Sequence, residues 1–251
     1  MTRKNISVAE AAEHWQRCRQ EDLPRVFYAY DEDEQQSERV VTYRLGEEGV
    51  QQLIEQIDGS KDFKFVVHLG LYPQDLSAPL TNDPAFALYL QVYRKDADRR
   101  EDGLELAWAR NSRFSSFMET DVNSGINAIP AASAYLFVHS WLEMAESALD
   151  RPFTAATRVM GQRVKAFIFS AEESQSIYQD ILNSPKKQLD VHLGNGLAVW
   201  EHPFSFRPVV EVAGAVVKGG TRTTPMNATG LTDNDGNSYY DFSMPEPPGR
   251  P

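Results

Sequence analysis

One feature constrains this chain before any other. Shifted against itself by 124 positions, residues 39–70 align with residues 163–194 without a gap, and ten of the 32 positions are identical. They are Arg39/Arg163, Val40/Val164, Glu48/Glu172, Gln51/Gln175, Ile57/Ile181, Ser60/Ser184, Val67/Val191, His68/His192, Leu69/Leu193 and Gly70/Gly194. Average composition yields roughly two such matches by chance. Outside that window the likeness continues in other registers. Trp15, Leu23, Arg25 and Phe27 recur 126 positions on as Trp141, Leu149, Arg151 and Phe153, and Ile6, Ala9 and Ala11 recur 123 positions on. A repeat of this length predicts one supersecondary unit used twice.

The hydrophobic pattern says what the unit is. Val50, Leu53, Ile54 and Ile57 lie at helical spacing, as do Ile177, Tyr178, Ile181 and Leu182. Ser170 with Glu173 three residues later forms a capping box, and Gly59 and Asn183-Ser184-Pro185 end the two helices. Apolar residues alternate in Phe63, Phe65, Val67, Leu69 and Leu71, and again in Leu189, Val191 and Leu193, as in a strand with one buried face. Earlier helices are expected over Val8–Arg19 and Ala131–Leu149, and strands near Arg39–Leu45 and Arg163–Phe169. Further strands are expected over Phe86–Tyr93, Leu104–Arg110, Phe204–Val212 and Ala213–Val217.

The expected fold is therefore α+β. Two tandem homologous units each carry an antiparallel or mixed sheet with two helices, and they pack as a pseudo-dimer. Residues 1–111 form the first unit, 112–128 a linker, 129–217 the second unit, and 218–251 a Gly/Thr/Asn/Pro-rich tail. In that tail, Asp235-Gly236 suggests a short hairpin, and the final MPEPPGRP is expected to be extended or disordered.

The order of elements is carried by ISVAEAAEHW, YRLGEEGVQQLIEQI, IPAASAYLFVHSW and DNDGNSYYDFSMPEPP. It resembles a family of small uncharacterised bacterial proteins built on one helix–strand–helix–strand–strand unit, here duplicated in tandem. That family often ends in a proline–cysteine pattern, which this tail lacks. The resemblance implies a fold and supplies no activity.

Charge and composition narrow the function classes. The 25 basic and 36 acidic residues give a formal net charge of −11. Such a field repels phosphate backbones, so no nucleic-acid partner is expected. The most apolar stretch, Ala128–Met144, is shorter than a membrane span and broken by Ser133, His139 and Ser140. The N-terminal segment lacks the apolar core of a signal peptide. A cytoplasmic location without a membrane role is the expectation. The single cysteine, Cys18, leaves no intramolecular disulfide and no cysteine-based zinc site.

The candidate site residues are the polar positions shared by both units. His68 and His192 alternate with the core-facing Val and Leu, so they look away from the core as half-exposed residues. A pair of histidines can ligate a metal or move protons near neutral pH, but neither has a partner at metal-ligand spacing. Glu48 and Glu172 fall in first helical turns, where a carboxylate favours the helix dipole. Gln51 and Gln175 lie one turn on and suggest a surface common to both units. The run Asp31–Glu34 reads as a solvated loop. The stretch Asp233-Asn234-Asp235-Gly236-Asn237 begins like a calcium loop but lacks its glycine and glutamate. No cofactor and no metal are expected. The function expected from these features is protein binding or assembly without catalysis. The alternative is a small-molecule or enzymatic site in the groove between the units, using His68 and His192.

Overall fold

A computed structural model describes residues 6–31, 36–73, 80–95, 99–100, 102–110, 123–124, 129, 131–154, 163–196, 204–214, 230–231, 238–241 and 244–246. In chain order the elements are α1 (Val8–Arg17), α2 (Leu23–Val26), β1 (Tyr28–Asp31), β2 (Gln36–Arg39), β3 (Thr42–Leu45), α3 (Glu47–Ile57), β4 (Phe63–Leu71), β5 (Phe86–Arg94), β6 (Arg99–Arg100), β7 (Leu104–Trp108) and β8 (Asn123–Ser124). They continue with α4 (Ala131–Leu142), β9 (Ala166–Ile168), α5 (Ala171–Asn183), β10 (Leu189–Asn195), β11 (Phe206–Val212), β12 (Gly230–Leu231), β13 (Ser238–Tyr240) and β14 (Met244–Glu246).

The class is α+β, and its centre is one large curled antiparallel sheet. The strand order is β13-β11-β10-β3-β7-β5-β4-β9-β14. The two ends of that order, β13 and β14, are close neighbours in sequence. The C-terminal segment therefore reaches from the β11 edge to the β9 edge, pairing Tyr240 with Val210 on one side and Met244 with Ile168 on the other. That curl hides edges that would otherwise be open to pairing.

The halves of the chain do not keep separate sheets. β3 lies against β10, with Val191 opposite Tyr43 and His192 opposite Thr42. β9 lies against β4, with Val67 opposite Phe167 and His68 opposite Ala166. The short strand of each half is thus inserted beside the VHLG strand of the other. The boundary expected at 112–128 does not divide the sheet.

Residues related by the sequence offset make matching contacts. Trp15 Nε1 donates to the Val164 carbonyl and Trp141 Nε1 to the Val40 carbonyl, both at 2.9 Å and both buried. The Arg39 guanidinium donates to the carbonyls of Trp141, Leu142 and Met144, and that of Arg163 to the carbonyls of Trp15 and Cys18. A cation suits a helix C-terminus, where carbonyls point outward unpaired. Both guanidiniums also lie over the indole they serve, at 5.9 Å and 5.2 Å. Inside the curl, Trp15 meets Phe153 and Phe27 meets Trp141 edge-on at 5.1 Å and 5.0 Å, while Phe27 stacks on Phe153. One continuous core joins these rings to the inward residues of β4, β5, β10 and β11.

Local signals explain the helices. Ser7 caps α1 and Ser170 caps α5 through a full capping box with Glu173. α3 starts from Gly46, which gives no side-chain cap, and buries Val50, Leu53 and Ile57. In α5, Ile177 and Ile181 are buried, whereas Leu182 is exposed and Ser174 and Asp180 are buried instead.

Several boundaries differ from expectation. α4 stops at Leu142 and gives way to 3₁₀ turns at Glu146–Ala148 and Arg151–Phe153, where Pro152 cannot continue an α-helix. Thr42–Leu45 is a separate strand from Gln36–Arg39. Ala213 and Gly214 form a turn. The C-terminal tail contributes strands to the main sheet, although its Pro and Gly content suggested a loop. Pro245 is tolerated because β14 is terminal in the strand order and pairs with β9 alone. β12 and β13, which flank Asp235-Gly236, pair with β8 and β11 and not with each other. Glu32–Glu34 and Asp233–Asn237 lie outside the described residues.

Candidate functional site

The VHLG strands carry their histidines on the outer face, as alternation requires, but the outer face is covered. His192 is 2% exposed and His68 9%, not half-exposed. The glycines explain the cover. A Cβ on Gly70 would stand 2.8 Å from Ala11 Cβ, and one on Gly194 would stand 3.0 Å from Phe137 Cβ. Helices α1 and α4 therefore cross β4 and β10 at these glycines, the closest seats a strand can offer. In the tetrapeptide, Val and Leu face the core, Gly seats a helix, and His sits two residues away on the glycine's side.

Each histidine is held by its neighbouring strand in the same register. His68 Nε2 donates to Gln91 Oε1 at 2.8 Å, and His192 Nε2 donates to Glu211 Oε2 at 2.6 Å. Gln91 and Glu211 are corresponding positions, opposite Val66 and Asp190. His192 has a second partner, the Thr42 hydroxyl, 2.9 Å from Nδ1. The equivalent residue beside His68 is Ala166, which offers no side-chain partner.

Thr42–His192–Glu211 has the composition of a hydrolytic triad but not its arrangement. In such triads the nucleophile meets Nε2 and the acid meets Nδ1; here the two are reversed. Thr42 is also fully buried, so no substrate reaches its hydroxyl. The chain of bonds satisfies buried polar groups, which is costly to leave undone. Beside it Arg44 donates two bonds to Asp190, at 2.8 Å and 2.7 Å, the bidentate geometry of strong ion pairs. The corresponding pair in the other half is Ile168 and Val66. The face around His192 thus carries a charged network, where the Ile168–Val66 pair in the other half is apolar.

The shared residues of the helices are not brought to one place. Glu48 and Glu172 are exposed in the first turns of α3 and α5. Gln51 donates to Glu55 on its own helix, while Gln175 donates to the Lys61 carbonyl. Glu172 lines a cleft of about 370 Å³ with Asp62, Lys64, Tyr93, Lys95 and Ser170, and neither histidine borders it. In the strand order β4 and β10 are separated by β5, β7 and β3, so each histidine belongs to its own cluster. Among the described residues, no group of three His, Cys, Asp or Glu could hold a metal ion. Burial pushes the Cys18 thiol up to about 11, which keeps it protonated and a poor nucleophile.

The outer surface of α4 differs from that of α1. The exposed positions of α1 include Glu10, Glu13 and Arg17, with a Glu13–Arg17 ion pair. The corresponding side of α4 presents Leu136 (58% exposed), Leu142 (43%) and a stacked Tyr135–His139 pair with centroids 5.6 Å apart. The chain beyond the helix continues with exposed Glu143 and Glu146. Glu146 borders a cleft of about 360 Å³ lined also by Gln20, Glu21, Pro24, Ser147 and Asp150. This surface was not among the residues singled out from sequence. Its signal was there, since Ala131–Leu142 is apolar at most positions beyond a single stripe, with only Ser133, His139 and Ser140 polar, more than one buried face requires.

With the geometry in place, the chain is described by its class: an α+β protein with a curled antiparallel sheet whose outer face carries crossing helices. Comparison with protein-family models, curated proteins and solved structures finds no match to it. No helix among the described residues is long and apolar enough to cross a membrane.

Proposed function

We propose that this protein is a non-enzymatic binding component that docks a basic protein partner on the outer face of α4. The observation that carries the reading is the contrast between two corresponding helices. The outer side of α1 is charged, whereas that of α4 exposes Leu136 and Leu142, with half-buried Tyr135 stacked on exposed His139. Large apolar side chains exposed close together on one helix mark interaction sites when they form a patch, and here Leu136 and Leu142 lie close in sequence to the Tyr135–His139 pair. Exposed Glu143 and Glu146 follow α4 directly in the chain, and Glu146 and Glu21 line one cleft; the net charge of −11 attracts a basic surface from a distance.

The same reading includes a duplication. The sequence offset, the exchange of β3 and β9, and the matched Trp–carbonyl and Arg–carbonyl bonds are what two copies of an intertwined unit produce once joined in one chain. After duplication one copy was free to diverge. The charged network around His192 and the apolar surface of α4 both lie in the second half.

A photo-crosslinking residue at position 136, with a control at position 13 on α1, tests the docking. We expect position 136 to capture a basic protein in cells. The purified partner should then bind the chain, and Leu136→Glu with Leu142→Glu should weaken binding at least tenfold while thermal unfolding is unchanged. Failure to capture any protein from a chain that stays monomeric would sink the reading. Capture of a second copy of the chain would make the face a self-interface and overturn the basic partner.

A further inference from the structure

Between β13 and β14 stands an acid, Asp241, that is half-buried as a residue but has one carboxylate oxygen fully buried. Tyr240 ends β13 with its ring in the core, and its hydroxyl donates to Asp180 Oδ2 at 2.6 Å. The next residue is Asp241, and β14 begins three residues later. Asp241 Oδ1 is buried and, among the described residues, has no hydrogen-bond partner. Glu173 Oε1, on α5, is in the same position, although Glu173 Oε2 accepts the Ser170 N–H of the capping box. A single buried carboxylate oxygen without a donor is costly. Two within electrostatic reach of one another suggest a different state of protonation.

We infer that Asp241 and Glu173 retain a proton between them in the closed sheet, and that this proton latches the 238–246 segment across the β11 and β9 edges. The charged groups that act on Asp241 are Arg207 of β11 and Glu173 of α5, with Glu172 acting on Glu173 in turn. Asp180 on α5 is already engaged by Tyr240. Arg207 favours ionisation of Asp241, but burial and Glu173 oppose it, and burial is the larger effect. The Asp241 carboxyl is raised to about 7, and burial raises that of Glu173 as well.

The sign follows from linkage. An acid whose pKa is higher in the folded state binds its proton more tightly there. Its stabilisation is complete below the unfolded value, about 4 for Asp, and is lost as pH rises to about 7. Opening of the segment releases the proton, so opening becomes more frequent over that range and then levels off.

Hydrogen exchange of the intact chain tests the latch. Protection of Ser238–Glu246, corrected for the intrinsic pH dependence of exchange, should fall by up to about tenfold per pH unit between pH 5 and 7 and flatten above pH 7. Peptides from β4 and β5 should not follow it. Asp241→Asn should abolish the slope and keep the segment protected at pH 8. Glu173→Gln, which keeps the helix cap, should move the plateau to lower pH. Protection that ignores pH in the wild-type chain, or an equal slope in Asp241→Asn, would overturn the latch. If Asp241→Asn does not fold, carbon-detected NMR of the wild-type aspartate carboxyls decides: titration of Asp241 near 7 supports the latch, and titration near 4 refutes it.

Discussion

At the scale of single residues, two histidines that look alike in sequence do different work. His68 meets the amide of Gln91, which is itself partly open to solvent. His192 joins a buried hydroxyl to a carboxylate. Replacing His192 with Ala removes a hydrogen bond from both Thr42 and Glu211, and loss of a buried bond to a charged group costs about 2–3 kcal/mol. Replacing His68 with Ala leaves Gln91 able to turn to water and should cost about 1 kcal/mol. Urea denaturation of the two single variants checks the difference, and equal losses would mean that the His192 network contributes no more than the simple His68 bond. Alternation alone made both histidines look half-exposed and dispensable. It reports which side of a strand a residue takes, and it is silent about what lies on that side.

At the scale of elements, end signals and periodicity were readable, and partners were not. The Ser170–Glu173 box and the inward faces of α3 and β4 follow from local chemistry, since a cap or a turn is completed within four residues. The tail strands β13 and β14 were illegible, because nothing local distinguishes a proline-bearing loop from a terminal strand that a distant partner stabilises. α3 offers a direct test of local reasoning. Gly46 occupies its N-cap in an extended conformation, and a Cβ there would meet nothing within 4 Å. Gly46→Ser should add the missing cap and reduce the freedom of the unfolded chain, for a gain of about 0.5–1 kcal/mol. A rise in the urea midpoint with an unchanged slope is the expected result.

At the scale of the whole molecule, the exchange of β3 and β9 sets the folding unit. The first half lacks a neighbour for β3 on the β10 side, and the second half has no β4 to receive β9. Each would also leave one of the Trp15 and Trp141 indoles without its buried acceptor. Residues 1–111 and 112–251, produced separately, should each lack the cooperative unfolding transition of the full chain. Mixed together, they should recover native-like circular dichroism. A stable, cooperative fold in either half alone would contradict the interleaved sheet.

The sequence by itself determined local features: the amphipathic faces of α3 and β4, the Ser170–Glu173 cap, and the side of each VHLG strand on which a histidine stands. These depend on contacts within a few residues and on periods of 2 and 3.6. The tertiary structure alone decided which strands pair, that the two edges are joined by the tail, that the histidines are covered, and that the surface of α4 is left apolar. Backbone hydrogen bonds between strands use the same N–H and C=O groups whatever the side chain, so the identity of a strand's neighbour is not written along it. It is settled by how whole faces fit around one core.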